Sequence, residues 1–312
     1  MRLVKVSARA ERTWQSALDQ FLLVKKANGA APRTRQDYRD WCGRFFDRHP
    51  GCWSDYEALR SAAVEYFGDL ADKAPATFNL ARKNLKAFFG WCVAEGILPA
   101  NPLDGIKKRK DGGKPRSVDL ETVKRLLDLC DRRTFAGLRD HTAILFALDT
   151  GIRPSEMLAL KPCDLNLRAL EAHIPPSVAK TREGRTVVFS PPMAKALVKL
   201  LQARPAEWPE KAPVFASQDG TEMKEPSWAH RLAAYSKRLG VKITPYTLRH
   251  TCAISSLRRG MDVFAVQRQL GHADLQMTKR YVHLAGEDIH KQHETASPVT
   301  ALFPGGRRVR KI

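Results

Sequence analysis

Five side chains between residues 153 and 281 combine positive charge with one hydroxyl group: Arg153, Lys180, Arg249, His272 and Tyr281. A guanidinium group stays charged at neutral pH, and its planar fork matches two non-bridging oxygens of a phosphate. A tyrosine hydroxyl has a reference pKa of about 10, so it needs a phosphate whose charge is neutralised and a leaving group that receives a proton. The set therefore predicts phosphoryl transfer with a tyrosine nucleophile.

These residues stand in short motifs at regular distances. The motifs are TGIRPSE around Arg153, YTLRHT around Arg249, LGHADL around His272 and TKRYVHL around Tyr281, with Lys180 in a charged hairpin tip. His272 follows Arg249 by 23 residues, and Tyr281 follows His272 by nine. In order and spacing the motifs resemble the tyrosine recombinase (phage integrase) family over residues 118–284. One short motif would be weak evidence, but five in the same order are specific.

The resemblance implies a role for each residue. Arg153 and Arg249 would bind the scissile phosphate and stabilise its transition state. Lys180 would protonate the departing 5′-oxygen, and His272 would donate to a phosphate oxygen. Tyr281 would become linked to the 3′-phosphate, and this bond stores the energy of the cleaved diester for rejoining. Neither ATP, a cofactor nor a metal ion is implied.

Two further assignments depend on the resemblance more than on local sequence. Glu156 stands three residues after Arg153, and most such pairs are solvated surface pairs of little energetic value. Here the Glu156 carboxylate is predicted to orient Arg153 and His272 without contacting the phosphate itself. Lys180 is identified by its distance before a β-strand, and Arg182 and Arg185 offer competing positive charges nearby.

One position departs from the family pattern. The family has a histidine three residues before its second arginine, and this chain has Tyr246 there. A phenol donates one hydrogen bond but adds no charge and is a poor base near pH 7. His250 projects about a quarter-turn away from Arg249 on a helix, which predicts that it does not replace the missing histidine. The identity of the general base stays open.

The chain has 53 basic and 33 acidic residues and a net charge of +20, which favours a polyanionic partner. Its longest purely apolar run, Ala143–Leu148, is far shorter than the roughly 20 residues of a membrane span. The N-terminal residues lack the apolar core of a signal peptide. Six scattered cysteines form no CxxC pair, which argues against disulfides and zinc. The predicted partner is double-stranded DNA, and the predicted location is the cytoplasm, in association with the nucleoid.

Composition divides the chain into four segments. Residues 1–104 contain four amphipathic helical patterns and predict a helical, SAM-like core-binding domain that contacts DNA. Residues 105–117 read GIKKRKDGGKPRS and predict a basic linker. Residues 118–290 form the predicted catalytic domain, and residues 291–312 a basic, mobile tail.

Helical patterns dominate both domains. In the first, helices are predicted at 13–26, from a cap at Thr34, and at 55–71 and 77–95. The second contains one β-like region, where residues 170–175 and 185–189 alternate between polar and apolar side chains. The predicted fold class is mainly α with a small β-hairpin or sheet, in which the catalytic domain is α+β.

The resemblance also implies an assembly. Recombination acts on two duplexes, so the predicted species is a homotetramer with a dimer at each site. Each protomer is predicted to clamp its duplex. Accessory bending or directionality proteins are compatible with this assembly. Its task would be integration or excision of a mobile element or prophage, or resolution of replicon dimers. Two alternatives fit the same residues: relaxation of DNA by a type IB topoisomerase-like protomer, and DNA binding by a catalytically weak or inactive relative, which Tyr246 favours.

Overall fold

The structure is a computed structural model, and it describes residues 13–113, 115–179, 183–285, 293 and 297–302. The chain forms two compact units, residues 1–113 and 114–312. Each unit has its own apolar core. Within the described residues, no helix is both long and apolar enough to cross a membrane.

Over its described residues, the first unit has four α-helices around an aromatic core. The helices are α1 (Trp14–Ala27), α2 (Pro32–Arg48), α3 (Tyr56–Asp69) and α4 (Pro75–Ala94). Phe21, Phe45 and Phe88 are fully buried. The rings of Phe21 and Phe88 meet edge to face with centroids 5.6 Å apart, an arrangement that aromatic pairs favour. The aromatic residues at helical spacing therefore form the core, as the pattern predicted.

Proline rather than threonine marks two of the helix starts. The prediction that Thr34 caps the second helix is wrong, because α2 begins at Pro32. Similarly, α4 begins at Pro75, two residues before the predicted start. Proline is favoured in the first turn because its φ is already helical and its missing N–H has no partner there.

Part of the segment predicted as a linker is fixed to α4. The side chain of Asn79 donates to the carbonyl of Arg109 and accepts from its N–H, both at 2.9 Å. The Arg82 guanidinium donates to the carbonyl of Ile106 at 2.6 Å. Since Asn79 reproduces the pairing of a backbone amide, it holds residues 106–109 in one register on the helix.

Several of the basic residues predicted to face DNA have acidic partners within the first unit. The pairs are Arg33–Asp37 at 3.1 Å, Arg39–Asp19 at 3.6 Å and Lys86–Asp104 at 3.2 Å. Pairs on the surface contribute about 0–1 kcal/mol to stability, so a phosphate can replace the carboxylate at little cost. Their DNA-binding role stays a prediction.

The second unit is mainly helical with one small sheet. Its helices are α5 (Leu120–Asp128), α6 (Phe135–Thr150), α7 (Pro154–Ala159), α8 (Pro191–Gln202), α9 (Glu225–Leu239), α10 (Pro245–Arg258), α11 (Val263–Leu270), α12 (Leu275–Ala285) and α13 (Pro298–Leu302). The antiparallel strands β1 (Leu165–Asn166), β2 (Glu171–Ile174) and β3 (Arg185–Val188) lie in the order β1-β2-β3. The predicted fold class is confirmed. Strand β1 was not predicted because two residues are too short to show alternation.

Helix α13 lies within the segment predicted to be a mobile tail, of which residues 291–292, 294–296 and 303–312 are outside the described part of the chain.

Two apolar clusters hold the second unit together. The larger includes Phe146, Phe215 and Trp228, each at most 1% exposed. The smaller joins α10, α11 and α12 through Ala253, Ile254, Leu257, Val266, Leu270 and Tyr281. Because Tyr281 belongs to this smaller cluster, its ring is fixed by packing against the helix that carries Arg249.

Candidate active site

The loop between α6 and α7 approaches α10 and α11 very closely. Gly151 ends α6 with φ of 61°, in the left-handed region that favours glycine. A Cβ atom there would lie 2.4 Å from a methyl carbon of Leu270 and 3.1 Å from the Cys252 sulfur. Glycine in the TGIRPSE motif therefore allows the loop to bring Arg153 against the other helices.

Arg153 and Arg249 converge on one turn of the chain. Arg153 donates from Nη2 to the carbonyl of Gly271 at 2.6 Å, and Arg249 donates from Nη2 to the carbonyl of Leu270 at 2.9 Å. Arg249 also donates from Nη1 to the carbonyl of Gly151 at 2.5 Å. The two residues are only 7% and 4% exposed. Two buried guanidinium groups thus meet on consecutive carbonyls.

Glu156 is fully buried between two arginines. It accepts from Arg153 Nη1 at 3.0 Å, and from Nη1 and Nη2 of Arg185 at 3.0 and 2.6 Å. Burial raises the pKa of the Glu156 carboxyl, but the contacts with Arg185 and Arg153 reverse this, so the net pKa lies below its ordinary value. A buried carboxylate that accepts bidentate and single charge-assisted bonds stays ionised and fixes both guanidinium planes.

Gly271 of the LGH motif is required by Arg185. Its φ is 66°, and a Cβ atom would lie 2.4 Å from the Nε of Arg185. Any other residue there would displace the arginine that holds Glu156. Packing at the end of α11 therefore requires the glycine of the LGH motif.

The four charged groups at the centre carry a net positive charge. Three guanidinium groups (Arg153, Arg185 and Arg249) and one carboxylate (Glu156) leave a charge of +2. Burial, and then the charge of Arg153, lower the pKa of Arg249 to about 10, so it stays protonated at pH 7. Uncompensated charge inside a protein is costly. An anion such as a phosphate diester would lower that cost.

His272 and Tyr281 lie beside this charge. Their rings stack with centroids 6.0 Å apart and planes 12° apart, and His272 Nδ1 is 2.8 Å from the hydroxyl of Thr278. Burial and the nearby arginines, Arg249 first, lower the pKa of His272 to about 4, so the ring is neutral at pH 7. Burial raises the pKa of the Tyr281 hydroxyl, and Arg249 offsets part of this.

Tyr246 and His250 lie one turn apart on α10. Thr244 and Thr247 cap this helix reciprocally, each side chain accepting from the other's N–H at 3.1 Å. Tyr246 is 42% exposed, and its ring centroid lies 6.4 Å from that of His250. His250 Nδ1 lies 2.8 Å from the hydroxyl of Tyr281. Helical spacing relates His250 only to other residues of α10. It therefore gave no indication that His250 contacts Tyr281 on α12.

The remaining predicted residue, Lys180, lies outside the described residues, so its role stays a prediction. An open cleft runs between the start of β3 and the end of α11. Its lining includes Glu183, Arg185, Phe264, Arg268 and His272. The cleft gives a ligand access to the positively charged centre beside Arg185 and His272.

The model of the phage integrase family matches residues 116–288, more than half of the chain. The chain belongs to this family. It is a tyrosine-type DNA recombinase, an enzyme of site-specific recombination through cleavage and rejoining.

Several proteins are similar to this recombinase over most of its length. It is 30% identical to the tyrosine recombinase XerC of Proteus mirabilis, covering 72% of this chain and 73% of the relative. It is 28% identical to XerC of Serratia marcescens (79% and 81%) and 29% identical to XerD of Listeria monocytogenes serotype 4b (87% and 95%).

Solved structures share the fold of the recombinase. The Tn1549 transposon integrase in complex with transposon right end DNA has a TM-score of 0.73 at 18% identity, with 91% of this chain and 99% of that one covered. A lambda integrase dimer bound to a COC′ core site has a TM-score of 0.69 at 18% identity, with 89% and 79% covered. At these identities the likeness shows the fold.

The structure of the recombinase adds two residues to those that the sequence singled out. Arg185 was noted only as a rival for the position of Lys180, yet it binds the buried Glu156. His250 was set aside, yet it contacts Tyr281. Alternation along β3 indicated a strand at Arg185 but gave no signal of its partner, because Glu156 lies 29 residues earlier.

Replacing Glu156 with glutamine is expected to lower the free energy of unfolding of the recombinase by about 3–5 kcal/mol, because it leaves Arg153 and Arg185 buried without a counter-charge. Urea unfolding followed by circular dichroism measures this. The matched control is Glu121→Gln on the exposed surface of α5, for which a change below about 0.5 kcal/mol is expected. Equal effects of the two substitutions would show that the Glu156 carboxylate has no special stabilising role.

Proposed function

We propose that the recombinase breaks one DNA strand by attack of Tyr281 on a phosphate held by Arg153 and Arg249. The observation that carries this assignment is the convergence of two buried guanidinium groups on the turn at Leu270 and Gly271, in a centre of net positive charge. Tyr281 is packed against the helix that carries one of them. A pentacoordinate phosphate carries more charge on its equatorial oxygens than the diester, so these groups stabilise the transition state more than the ground state.

In the proposed step, the bond between Tyr281 Oη and phosphorus forms as the bond from phosphorus to the 5′-oxygen breaks. The hydroxyl proton leaves Tyr281, and a proton is delivered to the 5′-oxygen. By resemblance to the family, Lys180 is the donor of that second proton. Rejoining is the reverse: a free 5′-hydroxyl attacks the phosphotyrosyl bond and Tyr281 leaves. The phosphotyrosyl bond conserves the energy of the diester, so the cycle needs no external energy source.

His272 and Glu156 support this step in different ways. In the tautomer in which the Thr278 hydroxyl donates to Nδ1, the neutral ring of His272 carries its proton on Nε2 and can donate it to a phosphate oxygen. Glu156 holds Arg153 in the orientation in which it meets Arg249. Tyr246, which is exposed at the rim, offers one further hydroxyl donor to the phosphate.

The proposed partner arrangement is a dimer on each recombination site and a tetramer when two sites pair. The similar lambda integrase structure is a dimer bound to a core site. The net charge of +20 supports binding to DNA by both units, with residues 1–104 acting as a core-binding domain and the protein associated with the nucleoid. Integration, excision and resolution of replicon dimers all use this chemistry, and accessory bending or directionality proteins are compatible with it.

Covalent capture tests the proposed function and identifies the recombination site in the same experiment. Wild-type protein is incubated in EDTA with sheared genomic DNA from the source organism, then denatured with SDS, and DNA that stays attached is sequenced. The expected result is enrichment of one sequence class, with a nucleotide linked to the peptide that contains Tyr281. Attachment at another residue would overturn the assignment. Absence of attached DNA when the genome contains the site would overturn the function.

The affinity for non-specific DNA is expected to fall steeply with salt. A protein that contacts about 6–10 phosphates loses about 10³–10⁵-fold in affinity between about 50 and 200 mM salt, because binding releases condensed counterions. Fluorescence anisotropy with a labelled duplex of random sequence measures the slope of log K against log salt concentration. A slope near zero would contradict binding dominated by phosphate contacts. Competition by heparin, measured in parallel, gives the salt dependence of binding to a simple polyanion.

A further inference from the structure

His250 is in direct contact with the proposed nucleophile. Its Nδ1 lies 2.8 Å from the hydroxyl of Tyr281, and the centroids of the two rings are 5.6 Å apart. This distance is that of a short hydrogen bond between a hydroxyl and a ring nitrogen. The hydroxyl must lose its proton as it attacks phosphorus, and His250 is already bonded to that hydroxyl before DNA binds.

This contact matters because the chain has Tyr246 at the position where the family has a histidine. Tyr246 cannot act as a base near neutral pH, since burial raises the pKa of its hydroxyl further above the ordinary value. His250 follows it by four residues, which puts the two side chains one above the other on the same face of α10. Their ring centroids are 6.4 Å apart, so the two rings are neighbours.

The geometry points to His250 as the general base of strand cleavage. This role rests on the proposed function of Tyr281. As Tyr281 Oη bonds to phosphorus, its proton moves to Nδ1 of His250, and the bond from phosphorus to the 5′-oxygen breaks. In rejoining, the resulting imidazolium returns the proton to Tyr281 as the phosphotyrosyl bond breaks. His250 stands about one helical turn after Tyr246, the position at which the family pattern has its histidine.

The surroundings of His250 keep it in the form that accepts a proton. The charged and titratable groups facing it are Arg249 on its own helix, Arg280 and Tyr281 on α12, and Tyr246 one turn earlier. Burial, then the two arginines, lower its pKa to about 4. The neutral, accepting form therefore predominates above about pH 5 and is lost as the pH falls through about 4.

The test compares His250→Asn and His250→Ala with the wild type on a nicked duplex that carries the captured site. Asparagine places an oxygen near the position of Nδ1 and can accept the hydrogen bond, but it takes up no proton. Both variants are expected to cleave about 10²–10⁴-fold more slowly at pH 7, the range typical of general base catalysis. Anisotropy checks that each binds DNA normally, and His230→Asn, on the surface of α9, is the matched control.

The pH dependence separates a base from a residue that only holds the tyrosine. Without a base, cleavage requires the phenolate of Tyr281, whose fraction rises about tenfold per pH unit below its pKa. The ratio of the wild-type to the His250→Asn rate is therefore expected to fall about tenfold per unit between about pH 6 and 9, and effects of groups common to both enzymes cancel in this ratio. A constant ratio, a variant as fast as the wild type, or a variant that is faster would each overturn the proposal.

A substrate with sulfur in place of the bridging 5′-oxygen distinguishes the loss of a general base from the loss of a general acid. Sulfur leaves without protonation, so it relieves the loss of a general acid but leaves the loss of a base unchanged. The rate of His250→Asn relative to the wild type is expected to stay low on this substrate, and recovery would overturn the proposal by making His250 an acid. Failure of the wild type itself to form an adduct would instead contradict the proposed function.

Discussion

Replacing Tyr281 with phenylalanine is expected to abolish the covalent adduct with DNA. The substitution removes one hydroxyl, and no other atom of the ring can attack phosphorus. The ring keeps its packing against the cluster of α10 and α11 and its stacking on His272. The measurement is denaturing electrophoresis of protein and labelled nicked duplex in EDTA, in which the wild type gives a shifted band and the variant gives none. DNA binding by anisotropy should stay within about twofold, because the arginines proposed to bind the phosphate are unchanged.

The matched control for Tyr281→Phe is Tyr235→Phe. Tyr235 also donates its hydroxyl within the second unit, to Asp140 at 2.9 Å, but lies among residues to which no catalytic role is assigned. Each variant loses one hydrogen bond, at a cost of about 1 kcal/mol in stability. Tyr235→Phe should therefore form the adduct at the wild-type rate. Equal loss of adduct in both variants would mean that instability, and not the nucleophile, explains the result.

The sequence predicted local geometry well where spacing within one helix or one loop determines it. Tyr246 and Arg249 share the first turns of α10 because the Thr244–Pro245 pair fixes its start. Arg153 follows a glycine that ends α6, and the motif alone indicated this turn. Interactions of this kind are independent of the rest of the fold.

Contacts between distant elements could not be predicted in the same way. Arg185, at the start of β3, contacts Glu156 on α7 from 29 residues away in sequence, and nothing near either residue specifies this approach. The contact of His250 with Tyr281 depends on how α12 packs on α10. The start of α2 was predicted wrongly for a local reason. The sequence is consistent both with a cap at Thr34 and with Pro32 in the first turn, and the helix begins at Pro32.

Arg249 stabilises the fold of the positive centre, and it is also proposed to act in catalysis. Arg249 donates to the carbonyls of Gly151 and Leu270, so it joins the loop before α7 to the end of α11. The same guanidinium is proposed to neutralise the phosphate. A substitution at this position therefore changes two quantities, the free energy of unfolding and the rate of cleavage, and they have to be measured separately.

Replacing Arg249 with alanine is expected to slow cleavage by about 10²–10³-fold or more, the range for loss of one preorganised donor to a developing charge. Arg249→Lys keeps the charge but loses the planar fork, so it should recover only part of the rate. Arg259→Ala, exposed just after the end of the same helix, is the control and should cleave normally. The rates are measured as adduct formation on the nicked duplex.

A neutral substrate separates the two roles of Arg249. A methylphosphonate at the scissile position has one non-bridging oxygen replaced by a methyl group and carries no negative charge. If Arg249 acts by neutralising charge, the loss in Arg249→Ala should shrink by at least about tenfold on this substrate, because less charge develops to be stabilised. If it acts only by holding Gly151 and Leu270, misplacement of the site would slow both substrates equally. An undiminished loss on the methylphosphonate would therefore reassign Arg249 from the phosphate to the scaffold.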